Sequence, residues 1–366
     1  MHQIDSNSDF TFKNSINRFV RTLDIPDYRF DGAQWSSYSE AAYHHRGVEM
    51  DWVGGLNFYS DDFEQRPDDT PLKLDYAQYT LGAFLQNTWQ ARDWLHIEAG
   101  LRGDHVFDYG WVLRPRLSAL FKLGPKLSSR IGGGMGYKTP SIFTEETECI
   151  QLRNVLPVDP KVNTLEKSYG GNVDVNYQTR FFDAISFSVN QLFFYTKIQR
   201  PLLLQPTPDN QYQLQNVDGH VDIRGWETNV KLSYQDFKLF IGYTFTDASL
   251  NEQGTTRPNP LTAKHRLNNV LMYEKEDQWK IGLEAYYYCP QTLINQQRTR
   301  PYWIFGFMAE KIWDGFSLFA NFENFTDTRQ TRFDSIYTGT LTQPVFKEIY
   351  APLDGFVING GIKFHL

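Results

Sequence analysis

Asp354-Gly-Phe-Val-Ile-Asn-Gly-Gly-Ile-Lys-Phe-His-Leu366 is the stretch on which the fold turns. Phe356, Ile358, Gly360, Ile362, Phe364 and Leu366 fall on one side of a period-two pattern. Val357, Asn359, Gly361, Lys363 and His365 fall on the other. One row is nearly all apolar and the other mostly polar. The closing strand of an outer-membrane β-barrel has this form, with its apolar row toward lipid and its polar row toward the lumen. A soluble edge strand can show the same alternation, so the rest of the chain decides.

The 366 residues are 41% hydrophobic and 16% aromatic, with 28 Phe, 21 Tyr and 9 Trp. No run approaches the roughly 18 consecutive apolar residues of a spanning helix. A barrel needs none, because only alternate residues face lipid. The aromatic wealth fits interfacial girdles. A net charge of −7 argues against nucleic acid as a partner.

About sixteen strands are expected, near 11–20, 36–46, 48–60, 76–90, 94–108, 112–123, 127–139 and 166–178, then 185–200, 219–235, 237–249, 264–275, 279–290, 302–313, 316–327 and 355–366. In Leu95–Leu101, Leu95, Ile97, Ala99 and Leu101 oppose His96, Glu98 and Gly100. Strand 302–313 is apolar on both sides, and its facing is ambiguous. No helical period or linker appears, so residues 1–366 form one domain.

Loop length sorts by parity. If the last strand ends at the periplasm, the inner turns are 314–315, 276–278, 235–236, 179–184, 124–126, 91–93 and 46–47. The outer loops are 328–354, 291–301, 250–263, 201–218, 140–165, 109–111, 61–75 and 21–35. Every inner turn is short, and all outer loops but one are long, as in a membrane barrel. A soluble sandwich has no reason for such sorting.

Several segments resemble the barrel portion of TonB-dependent outer-membrane receptors. Gly82-Ala-Phe-Leu-Gln86 is similar to that family's GAFxQ strand, and Gly100-Leu-Arg-Gly-Asp104, with Arg102 and Asp104, to its GLRxD strand. Arg114-Pro115-Arg116 matches its PR element. Gly134-Met-Gly-Tyr-Lys-Thr-Pro-Ser-Ile-Phe143, with Gly136, Tyr137 and Pro140, resembles its GxGYKxPxxF block. Gly225-Trp-Glu227 and Asn321-Phe-Glu-Asn-Phe-Thr-Asp327 resemble two later strands. The resemblance covers roughly residues 36–366. It implies a 22-stranded barrel, of which these are about sixteen strands, filled by an N-terminal plug that contacts TonB. Nothing here resembles the plug, the TonB segment or a signal peptide. The expectation is therefore a truncated receptor without its plug domain, lying in the cell outer membrane. Its partners would be outer-membrane lipid, the barrel assembly machinery through the C-terminal strand, and TonB only through the missing plug.

Such a protein binds and gates rather than catalyses, and no enzyme activity or cofactor is expected. No G-x-S-x-G, C-x-x-C or H-E-x-x-H appears. His44 and His45 are expected at the barrel rim, not on a metal. Glu145, Glu146, Glu148 and Cys149 are expected to form an acidic solvated loop in preference to a cation site. Cys149 and Cys289 both map to the outer side, where a disulfide is possible but not decided by sequence. Arg102, Asp104, Arg116, Lys122, Arg130, Asp174, Lys280, Glu284, Glu323 and Lys363 are expected inside, paired across strands or facing a plug or water.

Ligand capture is assigned to outer loops and upper wall. Aromatics suit delocalised ligands, and Arg suits anionic chelates. The candidates are Tyr109, Trp111, Arg153, Arg200, Tyr212, Arg298, Arg300, Arg329, Arg332, Tyr337 and Tyr350. Their joint presence suits an iron–siderophore or similar metal chelate; cobalamin or an oligosaccharide remains open. The family's haem signature is not matched by Tyr137-Lys-Thr-Pro140 or Val162-Asn-Thr-Leu165. The rivals are a complete sixteen-stranded diffusive porin, with 328–354 as the loop to fold inward, an outer-membrane enzyme, and a soluble all-β binding protein. An open sheet edge is not tolerated in lipid, so strand 11–20 would have to meet strand 355–366 if these strands alone close.

Overall fold

A computed structural model describes residues 2–66, 72–341 and 344–364. Residues 67–71 of the expected loop 61–75, residues 342–343 of loop 328–354, and His365 and Leu366 of the terminal alternation lie outside the described residues. Sixteen long strands follow one another: β1 Ser8–Ile25, β2 Tyr28–Arg46, β3 Met50–Gln65, β4 Tyr76–Arg92, β5 Leu95–Val106, β6 Gly110–Lys122, β7 Leu127–Lys138 and β8 Glu166–Phe181. The second half is β9 Ile185–Gln199, β10 Gly219–Tyr234, β11 Phe237–Glu252, β12 His265–Lys275, β13 Trp279–Tyr288, β14 Tyr302–Trp313, β15 Phe316–Glu323 and β16 Val357–Phe364. Each pairs antiparallel with the next in a single sheet. No ladder joins β1 to β16 among the described residues.

The register shows why the sheet belongs in lipid. Ile358, Phe322, Phe307, Leu283 and Leu271 stand opposite one another strand by strand. Leu239, Leu232 and Phe187 continue the row. One residue over, the row is Asn359, Asn321, Met308, Gly282, Met272, Lys238, Ser233 and Ser186. Ile358, Leu283 and Leu271 of the apolar row are exposed. In water such a row costs about 25 cal/mol per Å² of apolar surface, a penalty that lipid removes. Pairing also settles β14: Trp303, Phe305 and Phe307 lie opposite Tyr287, Ala285 and Leu283 on the apolar face. Among the described residues no helix is long and apolar enough to cross a membrane.

Aromatic pairs border this apolar face at both ends. Trp94–Phe121, Phe181–Phe187, Phe237–Tyr273 and Trp313–Phe316 mark the inner end. Trp226–Phe245, His105–Trp111 and Tyr287–Trp303 mark the outer end. Phe237 and Phe245 are eight residues apart on β11. At about 3.3 Å per residue this is roughly 26 Å of strand, near the height of a barrel's apolar band.

The inner turns 47–49, 93–94, 123–126, 182–184, 235–236, 276–278 and 314–315 are short. Gly315 supplies the left-handed backbone of the last one, with φ +84°. The expected outer loop 21–35 is not a loop. β1 and β2 continue as one hairpin that turns at Pro26–Asp27. Backbone pairing extends above the lipid-facing zone, where Asp24 and Arg29 sit opposite each other and no apolar alternation is needed.

The sheet curls strongly. The short helix α1, Glu145–Cys149, lies in the 139–165 connection and is capped by the Thr144 side chain. At its far end Glu148 pairs with Arg21 of β1. Its first residue, Glu145, shares a hollow with Tyr288 of β13 and Tyr302 of β14. One five-residue helix thus reaches both the first strand and the last third of the sheet. The segment that crosses the mouth is therefore 139–165, not 328–354. Apolar anchoring explains this: Ile142 and Leu152 bury against Phe30, Phe63 and Leu74. The described part of 328–354 instead folds over the ends of β13 and β14, where Tyr350 and Ala351 pack with Leu293 and Tyr302.

Candidate ligand vestibule

Two arrangements on the polar face use the residues singled out from sequence. The first is structural. Asp104 is 0% exposed. Its carboxylate accepts from Arg102 Nε at 2.8 Å, Arg114 Nη1 at 3.1 Å and the Tyr137 hydroxyl at 3.2 Å. The Arg114 guanidinium also lies 5.5 Å from the Tyr137 ring centre. Tyr137 reaches in because the β6–β7 ladder stops at Arg116–Gly134 and leaves a gap beside it. Gly82 stands opposite Asp104; a Cβ there would overlap Asp104 Oδ1 and Asn57 Oδ1. The motif residues Gly82, Arg102, Asp104 and Tyr137 thus meet in one brace of the wall. Pro140 is buried, and its carbonyl accepts from Gln78 Nε2 at 2.6 Å. Pro115, Arg116 and Gly136 stay in the strands, with Arg116 Nη2 3.7 Å from Glu98. Arg130 faces Asp174, and Lys363 pairs with Glu310 at 3.1 Å.

The second arrangement is the outer vestibule. Tyr288 and Tyr302 stack with ring centres 4.9 Å apart. Beside them a hollow of about 330 Å³ is bounded by Arg266, Gln291 and Tyr350 on the wall and by Glu145 on the crossing segment. The Tyr302 hydroxyl donates to the Tyr350 carbonyl at 2.8 Å, and Gln291 Nε2 to the same oxygen at 3.2 Å. Burial raises the phenol pKa of Tyr350. Neutral aromatic rings beside one guanidinium suit a flat, delocalised, anionic guest. Tyr288, Tyr302, Arg266 and Gln291 were missing from the sequence-derived set. The even numbering of Arg266, Tyr288 and Tyr302 along polar-facing rows is the signal that could have found those three; Gln291 lies past the end of β13, where no alternation marks it.

The remaining candidates scatter. Arg153 lies over Tyr28 with 4.5 Å to the ring centre, and Tyr212 hydrogen-bonds through its backbone to Asn154 and Leu156. Both are part of how segment 139–165 is held. Arg329 and Arg332 pair with Asp327. Tyr337 is exposed on a small hairpin, and Arg300 is exposed on the 289–301 connection. Tyr109 is half-buried beside Val106, Val112 and Leu165; burial and the nearby Asp108 push its hydroxyl up to about 12. Trp111 is 74% exposed on the apolar face, its ring edge-on to His105. Arg200 shares a hollow with Trp111, and Arg298 shares another with Arg257 and Lys264.

The acidic group disperses too. Glu148 pairs with Arg21, and Glu146 Oε2 accepts from Leu204 N at 2.6 Å. Burial raises the pKa of Glu145 and Glu146 and pushes the Cys149 thiol up to about 11. Among the described residues the cluster does not form a metal-holding group. Cys149 and Cys289 are both free, so the possible disulfide is not made. Cys289 is buried at the end of β13, where its Sγ accepts from His265 N at 3.2 Å.

Comparison with known proteins agrees with this architecture. The family described as TonB dependent receptor-like, beta-barrel, matches residues 2–325. No curated protein matches in sequence. Among solved structures, the ferric enterobactin receptor PfeA of Pseudomonas aeruginosa superposes with TM-score 0.68 at 14% identity, covering 97% of this chain and 58% of that one. The FrpB iron transporter of Neisseria meningitidis gives 0.72 at 11%, covering 99% and 62%. The copper transporter OprC gives 0.72 at 14%, covering 100% and 63%. The chain spans about three-fifths of the length of these structures.

Proposed function

The chain belongs to the TonB-dependent receptor-like β-barrel family, and from that premise we propose that its outer vestibule captures a metal held in an anionic organic chelate, an iron–siderophore complex above all. In this reading the barrel sits in the outer membrane, and inward release of the ligand is coupled through TonB. The observation that carries the proposal is the stacked Tyr288–Tyr302 pair beside Arg266 and Tyr350, at the mouth and on the polar face. Phenol rings give flat apolar contact to a chelating ring, and a guanidinium offsets its negative charge. Neighbours whose names refer to enterobactin or iron transport favour an iron chelate. The metal is cargo that arrives already coordinated.

Titration of the folded chain in detergent micelles, followed by tryptophan quenching, tests this. A ferric tris-catecholate complex, a ferric hydroxamate and free Cu²⁺ serve as probes. Saturable binding of a ferric chelate is expected, weakened about tenfold or more by Y288A with Y302A, each aromatic contact contributing roughly 0.5–1.5 kcal/mol. Binding of free Cu²⁺ alone, or chelate binding indifferent to both substitutions, contradicts the proposal.

A further inference from the structure

The vestibule hollow has two chemically different sides. Arg266 of β12 and Gln291 lie on the wall, and Glu145, the first residue of α1, lies on the crossing segment. The carboxylates around Glu145 are engaged. Glu148 pairs with Arg21, Glu146 Oε2 accepts from Leu204 N, and Glu348 Oε1 accepts from Ile294 N at 2.8 Å. Glu145 has no cation or hydrogen-bond donor of its own among the described residues. Burial, and then the like charge of Glu348, raise its pKa. A carboxylate in this state is short of a cation.

The rings beside it suit one. Tyr288 and Tyr302 stack with their planes 13° apart, and Tyr350 lines the same hollow. Phenol faces attract an ammonium through the ring quadrupole. The Tyr302 hydroxyl is tied to the Tyr350 carbonyl at 2.8 Å, so its ring is held and its proton is not spent on Glu145. A wholly anionic guest would meet Arg266 on one flank and be repelled by Glu145 and Glu348 on the other. We infer that the guest is a ferric chelate with a pendant protonated amine. Its anionic oxygen donors lie toward Arg266, and its ammonium lies between Glu145 and the Tyr288–Tyr302 pair. Glu145 is then the residue that selects among chelates of the same metal and donor type. Because Arg266 belongs to the wall and Glu145 to the crossing segment, such a guest bridges the two. The inference rests on the chelate reading above and names the substrate class within it.

The test uses the folded chain in detergent micelles at pH 7, with tryptophan quenching as the readout. The probes are one linear ferric trihydroxamate in three forms, with its terminal amine free, acetylated or succinylated. The free amine should bind about fivefold or more tighter than the acetylated form, the scale of an ammonium held at an aromatic face and a partly exposed carboxylate. The succinylated form should bind weakest. E145Q should reduce the preference for amine over acetyl to under about twofold, and E145D, which keeps the charge, should retain it. Unchanged gel mobility of the folded form establishes that the variants fold. An acetylated form that binds as tightly as the amine, or a preference that survives E145Q, would overturn this inference and leave the chelate reading standing. If none of the three binds, this inference fails, and binding of a ferric tris-catecholate then decides whether the chelate reading fails with it.

Discussion

Replacing Gly82 by alanine should damage the wall out of proportion to one methyl group. The added Cβ would lie closer than 3.0 Å to both Asp104 Oδ1 and Asn57 Oδ1. Asp104 cannot yield freely, because Arg102, Arg114 and Tyr137 all hold it. Overpacking of this kind costs about 1–3 kcal/mol. D104A leaves two guanidinium groups without their shared carboxylate. Loss of one partner from a buried pair costs about 3–5 kcal/mol. The arginine side chains are 27% and 37% exposed and can rehydrate, so about 2–3 kcal/mol is the expectation here. In the double variant the alanine methyl enters space that the carboxylate has vacated. The two losses should then fall short of their sum by about 1–2 kcal/mol, a coupling that a double-mutant cycle isolates. Urea unfolding of the barrel in lipid vesicles, followed by tryptophan fluorescence, gives all four stabilities. A G82A loss under about 0.5 kcal/mol, or additivity within that margin, would refute the close approach on which the reasoning rests.

Further outcomes follow from the crossing segment and the wall. I142A should free 139–165 from the Phe30–Phe63 cluster at a cost of about 2–5 kcal/mol, read as faster limited proteolysis within 139–165 while β1 to β16 stay protected. Burial raises the Glu146 pKa in the folded state, so its contribution to docking is full below the unfolded value and is lost as pH rises through the folded one. E146Q should therefore slow cleavage at pH 7 relative to the parent chain and leave it unchanged near pH 4. A parent-like pH profile in E146Q would contradict that assignment. Glu310 is buried and accepts from Ser317 Oγ at 2.7 Å and Lys363 Nζ at 3.1 Å. E310A should destabilise the β14–β16 corner by about 1–3 kcal/mol in the same unfolding assay, and E310A with K363A should lose less than the two singly.

How much was legible depended on which force sets each element. The facing of Ile358, Ile362, Asn359 and Lys363 follows from alternation, because lipid and lumen demand opposite chemistries. β14 was ambiguous because Ile304, Phe307 and Met308 put large apolar groups on both rows; only pairing with β13 decides it. The extension of β1 and β2 past Val20 was hidden because strand pairing above the lipid carries no apolar period. The inward path of 139–165 was equally hidden, since Ile142 and Leu152 bury against Phe30 and Phe63, far away in sequence. Among motif residues, the meeting of Arg102, Asp104 and Tyr137 was not foreseen. Among ligand candidates, Tyr350 reached the vestibule, but Trp111 joined the outer belt. Alternation tells which face a residue takes, whereas long-range packing tells how the loops fold back.

The central claim is that the apolar rows of this sheet face lipid while the polar rows face water. Single cysteines at positions 358, 359, 362 and 363, in a chain with Cys149 and Cys289 replaced by serine, would each carry a spin label in reconstituted vesicles. The account predicts strong relaxation by oxygen at 358 and 362, and by a water-soluble nickel chelate at 359 and 363. Equal access of the nickel chelate to all four sites would contradict it.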